Sequence, residues 1–366
     1  MQDERAMARA LEVGEQGRRT APPNPWVGCV IVRDGDVVGE GFHERPGEPH
    51  AEVAALASAG DRAGGATAFV TLEPCSHHGR TPPCADALID AGIGRVVVAL
   101  EDPDPQVAGR GLTRLREAGI DVAVGEGAAA AARSLAPYLQ HRRTGRAYCV
   151  LKTAMSFDGR VADADGSSRW ITGPRARADA HELRADSQAV IVGAGTATTD
   201  RPELTARDIA MPVHHQPLRV LLDARGRVPA EGPLFDTTLA PTLVVTTERA
   251  DPAAVDAWRA AGAKVETVAP AADGTGVDLA STLELLAAHG VLQAMVEGGP
   301  TLHGALVAAG LVDRVVAYVA PTVLGTDAVP MLSWRGSGQL ATAPRWTLVS
   351  VSSLGDDVRL EYEVGA

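Results

Sequence analysis

Three side chains that commonly bind metals, together with one further carboxylate, lie within the segment from His50 to Cys84. The order is His50-Ala51-Glu52, then Pro74-Cys75, then Cys84. Zinc in a hydrolytic site takes three protein ligands and keeps a fourth position open for water. One imidazole and two thiolates supply those three ligands, and Glu52 is left to transfer protons to and from the water. The pattern predicts a catalytic zinc site, and the fold must bring these residues together.

The same residues also allow less specific interpretations. The chain has four cysteines, which could be ordinary buried thiols, and Cys75 and Cys84 could form a disulfide. A structural zinc site would need four protein ligands, usually in paired short spacings, and no second pair is visible. The order H-x-E followed by P-C and a later Cys is the pattern of zinc deaminases, which favours the catalytic site.

The local sequence predicts that His50 and Glu52 open a helix. Segment 51–59 is rich in helix formers and is followed by Gly60. Cys75 follows a strand-like segment at 68–72, and Cys84 begins a second helical segment that runs to residue 92. Both helices would direct their positive N-terminal ends at the metal, which favours thiolate over thiol.

Length and charge narrow the class of protein. A chain of 366 residues suits two domains, and its longest apolar runs are the size of strands, too short to span a bilayer. A net charge of −12 argues against nucleic acid or an anionic membrane as a partner. The first five residues carry charges and lack the apolar core of a signal peptide, so we expect a cytoplasmic protein.

Hydrophobic patterning predicts two different α/β domains, 1–146 and 147–366. Strand-like and helical segments alternate in the first domain, which predicts a largely parallel or mixed sheet. The basic run 141–146 marks the boundary; a solvated linker is favoured over phosphate binding there. The second domain has seven strand-like segments, and a β-hairpin is predicted at 347–364.

Two segments of the second domain could bind a ligand. Residues 297–304 lie between a predicted strand and a predicted helix, where backbone N–H groups can bind phosphate, although a plain turn before a helix fits equally well. Residues 196–207 combine turn residues and charges without a regular period, which predicts a long polar loop with a functional role.

Several blocks distributed over the whole chain resemble the bifunctional deaminase/reductase family of riboflavin biosynthesis. They are PNPWVGCVIV, HAE, EPCSHHGRTPPC, LKTAMSFDGR, WITG and VEGGPTLHGAL. The eight residues between Cys75 and Cys84 separate the chain from cytidine and polynucleotide deaminases. The resemblance implies an α/β protein with an N-terminal cytidine-deaminase-like three-layer domain and a C-terminal dihydrofolate-reductase-like α/β domain.

For the first domain, the resemblance implies hydrolytic deamination of a diaminopyrimidine that carries a ribosylamine 5′-phosphate. His50, Cys75 and Cys84 would bind Zn²⁺, and Glu52 would be catalytic. The residues that would shape the pyrimidine and ribose-phosphate site are Asn24, His43, His77 and Arg80.

For the second domain, the resemblance implies NADPH and reduction of the ribosyl side chain to ribityl. The implied cofactor-binding residues are Ala154, Trp170, Thr196, Asp200, Ala224, Gly299, Pro300, Thr301, Leu302, His303, Gly304 and Ala305. The implied substrate-binding residues are Ser168, Arg184, Leu204, Arg207 and Glu297. Arg184 and Arg207 suit a 5′-phosphate. Lys152 and Asp200 are candidates for proton supply, and Arg225 is a candidate for the 2′-phosphate of NADPH.

Three alternative functions are compatible with parts of the sequence. They are a single-activity enzyme with the second domain as a scaffold, a zinc-dependent nucleic-acid editor, and a nucleotide-binding regulator without catalysis. Asp200, Arg207 and the 299–301 run argue against the first, and the acidic charge argues against the second. The third would require Glu52 to be idle. The resemblance also implies a homo-oligomer formed through the reductase domain.

Overall fold

A computed structural model describes residues 2–76, 82–209 and 215–364. The chain divides into two compact units, Met1–Gly145 and Arg146–Ala366. Among the described residues, no helix has the length and apolar character needed to cross a membrane.

The first unit is built around a five-stranded mixed sheet. Its helices are α1 (Gln2–Glu15), α2 (Ala51–Ala59), α3 (Cys84–Asp90), α4 (Arg110–Glu117), α5 (Ala128–Ser134) and α6 (Ala136–Thr144). Its strands are β1 (Gly28–Arg33), β2 (Asp36–Phe42), β3 (Thr67–Val70), β4 (Arg95–Val98) and β5 (Asp121–Val124). The sheet order is β2-β1-β3-β4-β5; β1 is antiparallel to both neighbours, and β3, β4 and β5 are parallel.

Strand alternation explains why helices cover both faces of this sheet. In β1, Cys29 and Ile31 pack toward α2, α3 and α4, while Val30 and Val32 pack in the core that includes α1. The three-layer architecture follows from two buried faces. Gly41 brings α2 close to the sheet, because a Cβ added there would lie 2.4 Å from the backbone nitrogen of Ala55.

The second unit contains a nine-stranded sheet and a small two-stranded one. The nine strands are β6 (Tyr148–Ser156), β8 (Ala189–Gly193), β9 (Leu218–Leu222), β10 (Thr242–Thr246), β11 (Lys264–Thr267), β12 (Gln293–Val296), β13 (Arg314–Ala320), β15 (Trp346–Leu354) and β16 (Asp357–Val364). Their order is β11-β10-β9-β8-β12-β6-β13-β16-β15. The small sheet pairs β7 (Arg160–Ala162) with β14 (Val329–Pro330). The helices are α7 (Pro174–Ala185), α8 (Ala194–Asp200), α9 (Pro252–Ala260), α10 (Leu279–Ala288) and α11 (Pro300–Ala308).

The parallel strands of this sheet all end at the same edge. All neighbours from β11 to β13 are parallel, whereas β16 is antiparallel to both β13 and β15. The carboxyl ends of the parallel strands therefore lie at one edge, which is where open α/β sheets bind ligands. The predicted terminal hairpin is confirmed.

Two segments differ from the sequence-based expectation. The basic run at 141–146 was predicted to be a linker, but α6 includes it as far as residue 144, because Pro137, Tyr138 and Leu139 of this helix are buried. The predicted loop at 196–207 begins as helix α8, since Ala194 and Ala197 pack into the core below the sheet. Within 196–207, residues 201–207 are irregular.

Candidate functional site

Three elements of the first unit bring the predicted metal ligands together. His50 immediately precedes α2, Cys75 lies in the loop after β3, and Cys84 is the first residue of α3. His50 Nδ1 lies 3.2 Å from Cys84 Sγ and 3.6 Å from Cys75 Sγ. All three ligand atoms lie within 4.8 Å of one another. One nitrogen and two sulfurs at this spacing fit a catalytic zinc site with one open position.

The thiols of this site are not joined by a disulfide. All four cysteines, each within the described ranges, are free. A hydrogen bond from the Cys84 side chain is the main cause that lowers the pKa of Cys75, and a hydrogen bond with His50 lowers it further. The backbone N–H of Cys84, at the start of α3, donates to Cys75 Sγ at 3.4 Å. The pocket thus stabilises a thiolate before any cation is considered.

Glu52 is the carboxylate near these residues that is not one of the predicted metal ligands. It lies in the first turn of α2 and is only 3% exposed. Burial, followed by the negative charge of Cys75, raises its pKa to about 7. A carboxyl group that can hold or release a proton near neutral pH is suited to general acid–base work.

A cavity of about 460 Å³ opens beside these residues and contains two further predicted side chains. Asn24 Nδ2 donates to His43 Nε2 at 3.0 Å, so Nδ1 is left to donate to the carbonyl of Pro49 at 3.1 Å. Burial lowers the pKa of His43. The ring is therefore a neutral imidazole in a defined orientation, and it meets the His50 ring edge-on at 5.1 Å. The predicted His77 and Arg80 lie outside the described residues.

The structure adds residues that the sequence reasoning missed. Glu73 is buried and accepts hydrogen bonds from the backbone N–H groups of Asp102, Gly109, Gly111 and Leu112, which holds the 102–112 segment against the metal loop. Tyr138 Oη donates to Asp102 Oδ2 at 3.0 Å, and both residues line the cavity. The sequence signal that could have pointed to Tyr138 is its i,i+4 spacing from Arg142, which places both side chains on one face of a helix.

A larger cavity, of about 780 Å³, lies in the second unit. It brings together eleven of the predicted residues. They are Lys152, Ala154, Ser168, Trp170, Arg184, Thr196, Asp200, Leu204, Arg207, Glu297 and His303. The other predicted residues of this unit do not line it; they are Ala224, Arg225, Gly299, Pro300, Thr301, Leu302, Gly304 and Ala305.

A buried charge cluster lies in this cavity. Arg184 binds Glu297 through two hydrogen bonds, one of them from Nη2 to Oε2 at 2.8 Å, and Lys152 Nζ lies 3.6 Å from the same Oε2. Burial alone would raise the pKa of Glu297, but Arg184 and Lys152 lower it to about 2. Burial lowers the pKa of Lys152. Glu297 is thus a fixed anion that orients two cations.

This pairing engages Arg184, for which contact with the substrate 5′-phosphate stays a prediction. Its Nη1 also donates to the carbonyl of Thr205 at 3.0 Å, so its hydrogen bonds are used within the protein. A phosphate contact through Arg184 would require this cluster to open. The Arg207 side chain is 47% exposed, and its Nη1 lies 3.2 Å from both Glu203 Oε2 and Thr205 Oγ1, so it is more accessible to an anion than Arg184 is.

The 299–305 run begins α11, as predicted. Gly299 is the N-cap, and a Cβ added to it would lie 3.3 Å from Thr196 Oγ1 in α8. Gly304 packs instead on the 333 backbone, since an added Cβ would lie 2.2 Å from the Ser333 carbonyl. His303 Nδ1 lies 3.3 Å from the carbonyl of Met331, and burial lowers the pKa of His303 to about 4. Within the run, His303 and Gly304 are buried, whereas Thr301 and Ala305 are exposed.

The fold and sites define a class of protein, in which a zinc-binding deaminase domain is combined with a reductase domain in one chain. Residues 1–100 match the family described as cytidine and deoxycytidylate deaminase zinc-binding region, and residues 147–360 match the RibD C-terminal domain. The chain belongs to the riboflavin biosynthesis protein RibD family.

Relatives across nearly the full length support this assignment. The riboflavin biosynthesis protein RibD of Escherichia coli is 45% identical, with 100% of each chain covered. That of Chlamydia pneumoniae is 46% identical over 98% of this chain and 94% of its own. An Acinetobacter baumannii RibD structure has a TM-score of 0.89 at 40% identity, covering 100% of this chain and 99% of that one.

A third solved structure carries the name of both activities. It is a diaminohydroxyphosphoribosylaminopyrimidine deaminase/5-amino-6-(5-phosphoribosylamino)uracil reductase from Thermotoga maritima, with TM-score 0.86 and 31% identity over 100% of this chain and 99% of that one. The matches confirm the predicted family, the α/β fold class, and the combination of a deaminase with a reductase. Zinc and NADPH, the predicted cofactors, are those of this type of enzyme.

Proposed function

We propose that this chain deaminates 2,5-diamino-6-(5-phosphoribosylamino)pyrimidin-4(3H)-one in its first unit and then reduces the ribosyl side chain to ribityl in its second unit. The observation that carries the proposal is the convergence of His50, Cys75 and Cys84 beside buried Glu52, at a cavity large enough for such a substrate. The second cavity supplies a separate site in the same chain.

The residues of the first cavity divide the work of deamination. Zinc, when bound to His50, Cys75 and Cys84, supplies Lewis acidity that makes water a nucleophile near neutral pH. Glu52 accepts one proton from the attacking water and delivers it to the ring nitrogen. It then takes the remaining proton from the hydroxyl group added to the ring carbon and passes it to the amine, which leaves as ammonia when the C–N bond breaks and the ring carbonyl forms. Neutral His43, held by Asn24 and Pro49, orients the pyrimidine.

The second cavity provides orientation and charge for reduction. NADPH, when bound, supplies the hydride that goes to the sugar C1′. The N-terminus of α11 at Gly299, together with Thr196, suits the cofactor pyrophosphate. Lys152, which Glu297 orients, supplies the proton beside the reduced carbon. Arg207, which is about half exposed, binds the substrate 5′-phosphate.

Product analysis tests the two reactions together. With the diaminopyrimidine substrate and no NADPH, we expect one equivalent of ammonia and the deaminated ribosyl product to accumulate. With NADPH, the ribityl product should replace it, with one NADPH oxidised per ammonia released. Oxidation of NADPH without prior ammonia release would contradict the proposed order.

We also propose that the chain forms homo-oligomers through the reductase unit. Strand β15 lies at the outer end of the nine-stranded sheet, and Leu348 and Val351 on it are 52% and 59% exposed. A long edge strand with exposed apolar side chains offers unpaired backbone groups for a second copy. A second copy is the favoured occupant because identical edges can pair symmetrically.

Replacing both Leu348 and Val351 with Lys should shift the protein from a dimer or larger oligomer to a monomer in light scattering. The added charges oppose edge pairing without removing buried contacts. Val37→Lys, at a position 49% exposed in the first unit, is the matched control and should leave the mass unchanged. An unaltered mass in the double variant would exclude this surface as the interface.

A further inference from the structure

Two arginines of the second unit converge on one backbone carbonyl, and among the described residues neither has a carboxylate partner. Arg225 Nη2 lies 3.4 Å from Gly274 O, and Arg249 Nη1 lies 3.1 Å from the same oxygen. Within the described ranges, no carboxylate lies at ion-pair distance from either guanidinium. Arg227 is different, because its Nε lies 3.7 Å from the buried carboxylate of Asp223.

The charges of this arginine pair, Arg225 and Arg249, are not balanced by their surroundings. Both donate to a single neutral carbonyl, which does not offset two positive charges. The nearby Asp273 carboxylate accepts from the backbone N–H and hydroxyl of Thr275, at 2.9 and 2.8 Å, within its own turn. Both arginines are exposed to solvent. Two adjacent exposed cations create a local potential that attracts a multiply charged anion.

The position of the arginine pair indicates which anion. Arg225 follows β9 and Arg249 follows β10, each three residues after the strand ends, and the two strands are parallel neighbours. They therefore lie at the same edge as Gly193, the last residue of β8, and Gly299, which follows β12. In nucleotide-binding α/β sheets this edge holds the dinucleotide, and an arginine after a strand accommodates the 2′-phosphate of NADP.

The two loops that carry the arginines are tied to each other. Asp223 accepts the backbone N–H groups of Arg225 at 3.2 Å and of Arg227 at 2.6 Å. Thr247 Oγ1 donates to the carbonyl of Ala224 at 2.8 Å and accepts from the backbone N–H of Arg249 at 3.2 Å. Because Thr247 bonds to both loops, the backbones that present the two guanidinium groups have a set relative position.

We propose that Arg225 and Arg249 together bind the 2′-phosphate of the dinucleotide and thereby distinguish NADPH from NADH. The proposal rests on the proposed reductase function and extends the single arginine expected from sequence to a two-cation site. A phosphomonoester presents three oxygens, and guanidinium groups bind such oxygens through paired hydrogen bonds. Binding would replace the two bonds to the Gly274 carbonyl.

Kinetics with both dinucleotides test this site. We expect Arg225→Ala and Arg249→Ala each to raise KM for NADPH on the order of 10-fold, because each removes a charge-assisted contact. KM for NADH and kcat at saturating NADPH should stay within about twofold, since neither contact involves the reacting end. Arg227→Ala is the matched control: it removes the same charge from the same loop, and the NADPH/NADH ratio should not change.

Calorimetry measures binding at this site without requiring the reaction. Adenosine 2′,5′-bisphosphate should bind the wild-type protein more tightly than adenosine 5′-monophosphate, and each arginine variant should lose that difference. The proposal would be overturned if the arginine variants changed KM for NADPH and for NADH by the same factor. It would also be overturned if Arg227→Ala lost as much selectivity for NADPH as they do. A raised KM for the pyrimidine substrate with unchanged NADPH selectivity would also overturn it, by assigning the pair to the substrate phosphate. If the wild-type protein oxidised no NADPH, the proposed reductase function would be wrong. The binding of adenosine 2′,5′-bisphosphate would still show whether the two arginines bind a 2′-phosphate.

Discussion

Replacing Glu52 with Gln should lower the rate of ammonia release by about 10³-fold, the magnitude typical of losing a general acid–base group. Gln keeps the shape of the side chain in its buried position but cannot carry the proton. Zinc content should remain at one per chain, because Glu52 is outside the ligand set. NADPH oxidation on the deaminated substrate should be unaffected. Ammonia assay, metal analysis and NADPH absorbance measure the three quantities.

Two further variants sharpen the interpretation of this result. Glu48→Gln alters an exposed carboxylate that lines the same cavity, and ammonia release should persist. Cys84→Ser should lose zinc as well as ammonia release, because one of three ligands is removed. Unchanged zinc stoichiometry in Cys84→Ser would exclude Cys84 as a ligand. If Glu52→Gln reduced both activities together, two independent sites would be the wrong description.

Replacing Glu297 with Gln should destabilise the reductase unit by about 3 kcal/mol and abolish most NADPH oxidation, because Arg184 and Lys152 would be left in a buried site without their anion. The Glu297 side chain is 10% exposed and that of Arg184 is 14% exposed, so solvent screens the pair weakly. Denaturant unfolding and NADPH oxidation measure the two effects. Glu231→Gln, which alters an exposed ion pair with Arg201, should cost almost nothing.

The loss in Glu297→Gln should also depend on pH with a defined sign. The folded protein lowers the pKa of Glu297 from 4.5 to about 2, so the stabilisation is present above pH 4.5. It is lost as the pH falls from about 4.5 towards 2, where the carboxylate becomes protonated in both states. The difference in unfolding free energy between wild type and variant should therefore shrink over that range. A difference that stays constant from neutral pH down into that range would show that the charge of Glu297 is not the cause.

The local sequence was sufficient to predict where the helices beside the predicted zinc ligands begin. The helix predicted from residue 51 is α2, and the segment predicted to begin at Cys84 is α3, so both ligand-bearing ends were correctly located. Residue type, helix propensity and short spacing act over a few positions, and these are properties that a single sequence displays. The same local signals failed at 141–146, where burial of Tyr138 favours a helix over a linker.

Those local signals could not predict contacts between segments that lie far apart in the sequence. Arg184 and Glu297 are 113 positions apart, and only the parallel sheet brings β12 and the end of α7 together. The family resemblance implied Arg184 as a phosphate ligand, which stays a prediction, but its pairing with a buried carboxylate was not visible in the sequence. Tyr138 and Asp102 are a second pair of this kind, joined across 36 positions.

The sequence by itself determined the chemistry available to this protein: an imidazole and two thiolates for zinc, a carboxylate for proton transfer, and a strand-to-helix turn at Gly299. The tertiary structure alone decided which charges are neutralised and which are left for a ligand. Glu297 neutralises Arg184, while Arg225 and Arg249 share one carbonyl. The physical reason is that side-chain identity fixes what a group can do, whereas electrostatic pairing depends on distances set by sheet order and burial.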